Sequence, residues 1–291
     1  MKIERFLGNP ILSVSTHPET IDQLPGNING PSVIRVPEWV KNPLGKYYMY
    51  FGHHRGTYIR LAYANSIEGP WFIYEPGVLK MQDAYAIHHI ASPDVHIDDD
   101  NQIIRMYYHS PIDQPREQRT RVATSPDGIN FSARPEILGA PYFRVLFWDD
   151  FYYAVGMPGI FYRSVNPVSG FVEGPTLFGP DQRHVALFKD GDTLNIFHTF
   201  AGDEPENILL SKVDVSPDWM DWHASESQVV LRPERTYEGG YRELKASSRG
   251  PINERVMQLR DPAIFKEEGQ IYLFYVIAGE QGIALAKVYD L

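Results

Sequence analysis

An all-β, five-bladed propeller is the fold this sequence predicts, and three observations predict it. A pattern of four short apolar strands recurs five times along the 291 residues. The fifth copy runs out of chain after its third strand, and the N-terminus supplies a segment that fits the missing fourth. Turn chemistry separates the strands at hairpin spacing, with little that reads as helix. Self-similarity of this kind marks an array whose units cannot bury their apolar faces alone. Closing such an array into a ring removes the open sheet edge that would otherwise template aggregation.

Each copy opens with a polar or Pro-containing turn and a short apolar strand. A second strand rich in Tyr and Phe follows, then a third of small and apolar residues, then a fourth. The first copy opens at Gly30-Pro31-Ser32-Val33-Ile34 and has Tyr47-Tyr48-Met49-Tyr50-Phe51 as its second strand. The second opens at Ser92-Pro93-Asp94-Val95, the third at Phe143-Arg144-Val145-Leu146 and the fourth at Arg183-His184-Val185-Ala186. The fifth opens at Arg260-Asp261-Pro262-Ala263-Ile264-Phe265 and ends with Gly282-Ile283-Ala284-Leu285-Ala286. The N-terminal Arg5-Phe6-Leu7-Gly8-Asn9-Pro10-Ile11-Leu12 is similar to Arg134-Pro135-Glu136-Ile137-Leu138, the end of another fourth strand. It is therefore expected to close the last blade, making residues 1–291 a single domain.

Between strands stand Asn42-Pro43-Leu44-Gly45, Asp98-Asp99-Asp100-Asn101, Pro126-Asp127-Gly128, Asp190-Gly191-Asp192 and Glu267-Glu268-Gly269. Gly and Asn accept positive φ and Asp closes Asx turns, so these suit hairpins. Three inserts, at 82–90, 110–118 and 235–258, break the repeat; long inserts in compact domains tend to carry function or to be disordered.

Composition narrows the function classes. Net charge is -10, which repels phosphate backbones, and no basic run is present, so nucleic acid is excluded as a partner. The chain has no cysteine, which removes disulfides, thiolate zinc sites and Cys nucleophiles. No stretch approaches the roughly 20 apolar residues of a membrane span. Met1-Lys2-Ile3-Glu4-Arg5-Phe6-Leu7 lacks a signal peptide's apolar segment, so a cytoplasmic protein is expected. Tyr numbers 18 and aromatics make up 13%, which suits both strand cores and surfaces that stack on sugar rings.

In a propeller the first strands begin at one mouth of the central channel, and the turns after the second strands rim it. That places Asn29, Asp94, Arg144, Arg183, His184, Arg260 and Asp261 at the mouth, with His53, His54, His109 and His198 beside them. His89 on the first insert and Trp148 join them as binding candidates. Charges gathered at low dielectric are costly unless paired, and such clusters tend to be functional. Each has a structural alternative: Arg260 and Asp261 as a pair within a blade, Asp94 as a turn cap, a strand histidine as a satisfied core residue. No spacing matches a structural zinc site, and no cofactor is required; a channel cation such as calcium, held by His and water, is the one metal these residues admit.

The openings Gly-Pro-Ser-Val-Ile, Ser-Pro-Asp-Val and Arg-Asp-Pro-Ala-Ile-Phe resemble blade starts of the five-bladed glycoside hydrolases around family 43, with families 32, 62, 68, 117 and 130 as relatives. Leu61-Ala62-Tyr63-Ala64-Asn65-Ser66-Ile67-Glu68-Gly69-Pro70-Trp71 is similar to outer strands of those enzymes. The resemblance implies a small carbohydrate substrate and carboxylates from different blades, because glycoside cleavage needs a proton for the leaving oxygen and a nucleophile on the opposite face. By the resemblance Asp94 matches the carboxylate that tunes the acid. The base position before Pro31 holds Gly30, and the expected acid position holds Arg183-His184. The chain therefore either retains sugar binding alone or moves the roles: Asp261 to the base, His184 to the acid, with Glu238 and Glu243 on the long insert in reserve. Arg144, Arg183, Arg242 and Arg260 point to an anionic sugar or to phosphate, since Arg forks match both; phosphate would make a phosphorylase like those of family 130.

Overall fold

The computed structural model describes residues 1–13, 27–113 and 117–291. Part of the second insert, residues 114–116, lies outside them. Five antiparallel sheets form a five-bladed propeller. The N-terminal strands β1 (Lys2–Arg5) and β2 (Leu12–Ser13) precede the first blade, which is β3 (Asn29–Arg35), β4 (Tyr47–Gly52), β5 (Tyr58–Ala64) and β6 (Phe72–Lys80). The second is β7 (Ala91–Asp98), β8 (Ile103–Pro111), β9 (Gln118–Ser125) and β10 (Ser132–Ala133). The third is β11 (Arg144–Trp148), β12 (Phe151–Gly156), β13 (Ile160–Ser164) and β14 (Val172–Thr176). The fourth is β15 (Gln182–Asp190), β16 (Thr193–Phe200), β17 (Ile208–Asp214) and β18 (Gln228–Leu231). The fifth, β19 (Arg260–Glu267), β20 (Gln270–Val276) and β21 (Gly282–Tyr289), is completed by β1 and β2, both paired with β21.

The closing segment is two strands rather than the single one expected. Lys2 pairs with Tyr289 and Arg5 with Ala286, while Leu12 pairs with Ile283. Pro10 has no N–H for the ladder, and the chain bows out between the two strands. The Asn9 side chain fills the gap. Its Nδ2 donates to the Leu285 carbonyl at 2.8 Å, and its Oδ1 accepts from the Leu285 N–H at 2.8 Å.

The continuous apolar second strands follow from burial on both faces. In β4, Tyr47, Met49 and Phe51 pack with Phe274, Val276, Ile283 and Leu285 of the fifth blade. The alternate residues Tyr48 and Tyr50 pack with Val95, Ile104, Met106 and Tyr108 of the second. Two-residue periodicity thus sends successive side chains into opposite blade interfaces. Burying a side chain of this size stabilises by about 1.5–3 kcal/mol. The buried Tyr50 hydroxyl is satisfied by donating to the Gly128 carbonyl at 2.9 Å.

The innermost strands β3, β7, β15 and β19 each carry a register shift at the mouth. In three of them the residue before proline has positive φ: Gly30 at 58°, Ser92 at 50° and Asp261 at 43°. A bulge of this kind re-aims one side chain out of the ladder. Gly30, Ser92 and Asp261 are therefore equivalent positions, and Asp94, two residues further along, is not one of them.

Candidate functional site

The mouth holds a small pocket lined by Asn29, His54, His89, Ala91, Ser92, His109, Tyr142, His184 and Asp261. At its centre Asp261 Oδ1 lies directly against His184 Nδ1, joining the fifth blade to the fourth. Asp261 Oδ2 accepts the Gly30 N–H at 2.9 Å, joining it to the first. A side chain at Gly30 would stand 3.2 Å from the Ser92 Cα, on a backbone with positive φ. Where the resemblance anticipates a first-blade carboxylate, the backbone instead donates to a fifth-blade one.

Burial pushes the Asp261 carboxyl upward, but His184, Arg183 and the Gly30 N–H outweigh it and hold the group well below the usual carboxylate range. Burial pushes His184 down, only partly offset by Asp261. The pair therefore rests as carboxylate and neutral imidazole. Its favourable tautomer has Nδ1–H donating to Asp261, which leaves Nε2 as an acceptor for the pocket.

Around this pair the pocket is aromatic and polar. Tyr142 stands between His109 and His184, at 4.0 and 4.7 Å between ring centroids. Burial pushes its phenol to about 12, with Asp261 adding to the effect, so it remains a donor. Burial holds His109 well below its ordinary value, and lowers His89, whose Nε2 lies 3.3 Å from Gln118 Oε1. His54 is held by Glu280, Nδ1 to Oε1 3.0 Å, and its N–H donates to Asn27 Oδ1 at 2.8 Å. Asn29 Nδ2 donates to the same Asn27 oxygen at 3.1 Å.

The arginines turn away from the pocket. Arg183 donates to Glu206 at 3.2 Å and to the Ser248 carbonyl at 3.0 Å. Arg260 reaches Glu206 at 3.0 Å, Glu280 at 3.2 Å and Gln258 at 2.7 Å. Arg144 donates to the Phe143 and Ser92 carbonyls. Arg242 is exposed, over the Tyr241 ring. Among the described residues no Arg or Lys lines the pocket.

Other expected members also lie elsewhere. Asp94 faces a second chamber down the channel, accepting from Val145 N–H at 2.8 Å and lying 2.7 Å from His96 Nε2. His53 is half-buried, accepts the Arg55 N–H and does not line the pocket. Trp148 ends β11 at the far end of the channel, stacked 3.8 Å from Tyr153. Glu243 is exposed, and Glu238 is buried against Arg5 and Tyr275 at the closing seam. The structure thus brings together Asn29, His54, His89, His109, His184 and Asp261, with Arg183 and Arg260 behind them. Tyr142, Ser92, Asn27, Glu206 and Glu280 were missed. Glu206 and Glu280 follow the second strands β16 and β20, in the turns expected to rim the mouth, where only histidines were considered. Among the described residues no group of three or more His, Asp or Glu is arranged to hold a metal ion.

Buried neutral histidines make the fold acid-sensitive. Burial lowers His198 to about 4; its Nε2 lies 3.1 Å from Ser211 Oγ. A lowered folded-state value means the unfolded chain binds the proton first. Stability is complete above the unfolded value of about 6.5 and declines as pH falls toward 4, by about 1.4 kcal/mol per pH unit for each such histidine. Unfolding midpoints measured at pH 7 and pH 5 are expected to fall less steeply in His198→Asn than in the native chain. Equal slopes would show that His198 carries no such linkage.

No family model matches the chain. A protein of Acanthamoeba polyphaga mimivirus, described only as uncharacterized, is 34% identical over 323 aligned positions, which cover 98% of this chain and 90% of the viral one. The chain belongs to the family of that viral protein. Among solved structures it is similar to a thermostable family-43 glycoside hydrolase, with a TM-score of 0.65, 12% identity and coverage of 91% and 90% of the two chains. It is also similar to an alpha-L-arabinofuranosidase from Lactobacillus brevis, with a TM-score of 0.65, 13% identity and coverage of 96% and 92%. The chain therefore shares the five-bladed propeller fold of the family-43 glycoside hydrolases.

Proposed function

We propose that the chain is a glycoside hydrolase that removes one terminal sugar from short, neutral oligosaccharides at the mouth. The observation that carries this reading is the buried Asp261 carboxylate held against neutral His184 inside a small pocket. The pocket is small, which favours a chain end over the middle of a polymer. With Arg183 and Arg260 committed to internal partners and no Arg or Lys lining the pocket among the described residues, neither an anionic sugar nor a phosphorylase is favoured. A histidine neutral at rest takes a proton from attacking water more readily than it gives one to the leaving oxygen. The resting state thus favours His184 as base over the acid role implied by resemblance: Asp261 stabilises the imidazolium that forms, and the imidazolium then passes its proton to the leaving oxygen, so that water adds across the broken bond and His184 returns to neutral.

One observation favours a second reading, sugar binding without cleavage. Asp261 is the single carboxylate lining the pocket among the described residues, and glycosidases ordinarily use two. The deciding experiment incubates the protein with neutral and uronate-containing oligosaccharides, with and without phosphate, and follows products by NMR. The expected result is release of one terminal sugar from a neutral substrate, independent of phosphate and lost in His184→Gln. A sugar that raises Tm with no turnover anywhere in the panel would replace hydrolysis with binding.

A further inference from the structure

The channel's other end carries a larger cleft that the mouth chemistry does not use. It lies between the second and third blades, where the β7–β8 and β11–β12 hairpins turn, and has a volume of about 360 Å³. The size falls at the lower end of the range of small-molecule sites, roughly 300–1,000 Å³, whereas the mouth pocket, about 10 Å³, lies far below it. One wall is aromatic. Phe147 is 58% exposed, unusual for a Phe, and its ring lies 4.6 Å from that of the half-buried Tyr152. The opposite wall is polar: Asp98 is paired with Arg105 and Asn101, and Asp100 is exposed beside them. The Arg105 guanidinium lies 5.7 Å from the Tyr152 ring, so the two walls meet.

We propose that this cleft binds a neutral oligosaccharide chain of several units, as an accessory site separate from the mouth. The proposal rests on the carbohydrate reading above. A sugar ring offers an apolar C–H face and a rim of hydroxyls. An exposed aromatic face opposite carboxylate and amide groups matches both, because the ring packs on the aromatic while the polar wall takes the hydroxyls. The aspartates disfavour an anionic polymer, and the one guanidinium is neutralised by Asp98. β7 separates the two ends with eight residues, about 26 Å at about 3.3 Å per residue. The cleft therefore holds a chain without placing its end in the mouth.

The test titrates neutral xylo-, arabino- and gluco-hexasaccharides into the Asp261→Asn protein by calorimetry, alone and with Phe147→Ala or Phe147→Tyr added. At least one hexasaccharide is expected to bind. Its affinity is expected to fall about tenfold with Phe147→Ala and to recover with Phe147→Tyr. Phe147→Ala in the otherwise native chain is expected to leave trisaccharide turnover unchanged. Absence of binding by all three, or binding indifferent to Phe147, overturns the cleft. Phe147-dependent binding in a protein that turns nothing over leaves the cleft standing and removes hydrolysis alone.

Discussion

Asp261→Asn is expected to lower turnover of whichever oligosaccharide the mouth accepts by on the order of 10³–10⁴-fold, the scale of a wrong-tautomer histidine. Two donors converge on the native carboxylate, the Gly30 N–H on Oδ2 and His184 Nδ1–H on Oδ1. An asparagine offers one oxygen and one NH₂, so one donor loses its acceptor. A backbone N–H cannot change character, but an imidazole can. The economical solution keeps the oxygen on Gly30 and shifts the His184 proton to Nε2, so that Nδ1 accepts from the new amide. Nε2 then donates into the pocket and no longer takes a proton from water. The loss should fall on kcat, with KM little changed, and ¹⁵N NMR should report the exchanged tautomer. Turnover within tenfold of native, or an unchanged tautomer alongside the full loss, would sink this account. Because the folded-state value of Asp261 is depressed, its contribution to stability is present above the unfolded value of about 3.9 and is lost only as pH falls toward the folded one. The acid limb of activity should accordingly follow His184.

Much of the fold was legible because the blade is a local pattern with a global constraint. Tyr47 to Phe51 reads as one apolar run since both strand faces meet neighbouring blades, and the orphaned third strand at the C-terminus requires a partner from the other end of the chain. The bow at Asn9-Pro10 was not legible as such, although Pro10 announced a missing donor. Strand openings and second-strand ends pointed to Asp261, His184, His54, His109 and Asn29, and the first insert to His89, all of which line the mouth pocket. Asp94 was misplaced by treating Ser-Pro-Asp and Arg-Asp-Pro as equivalent. The bulged residue is the one before proline, so Asp261 faces the pocket while Asp94, after Pro93, faces the chamber below. Residue type also could not reveal where the arginines point. That depends on Glu206 and Glu280, distant in sequence and buried behind the site, whose positions in the turns after β16 and β20 were the available signal. Trp148 lies at the wrong end of its strand simply because β11 runs from the mouth outward.

Glu206→Ala is expected to cost about 3–5 kcal/mol of folding stability, against the 5–15 kcal/mol that folded chains typically have. Glu206 is fully buried, and one of its oxygens serves two cations: Arg183 Nη1 at 3.2 Å and Arg260 Nε at 3.0 Å. Removing it strands charge rather than merely deleting a contact. Arg260 retains Glu280 and Gln258, but Arg183 keeps a carbonyl hydrogen bond to Ser248 and the nearby charges of Asp261 and Glu280, with no carboxylate in direct contact among the described residues. Glu206→Gln keeps the volume and an acceptor while losing the charge, so its cost should be smaller. Replacing both members, Arg183→Met with Glu206→Leu, should recover much of the stability lost in Glu206→Ala, because well-packed apolar substitutes relieve the desolvation that an unpaired buried charge retains. Activity need not recover with it, since Arg183 helps hold Asp261 ionised beside His184. Denaturant titration of the three variants separates these terms. A loss below about 1 kcal/mol for Glu206→Ala would mean that water reaches Arg183 and that the buried pairs do not hold the floor of the pocket in place.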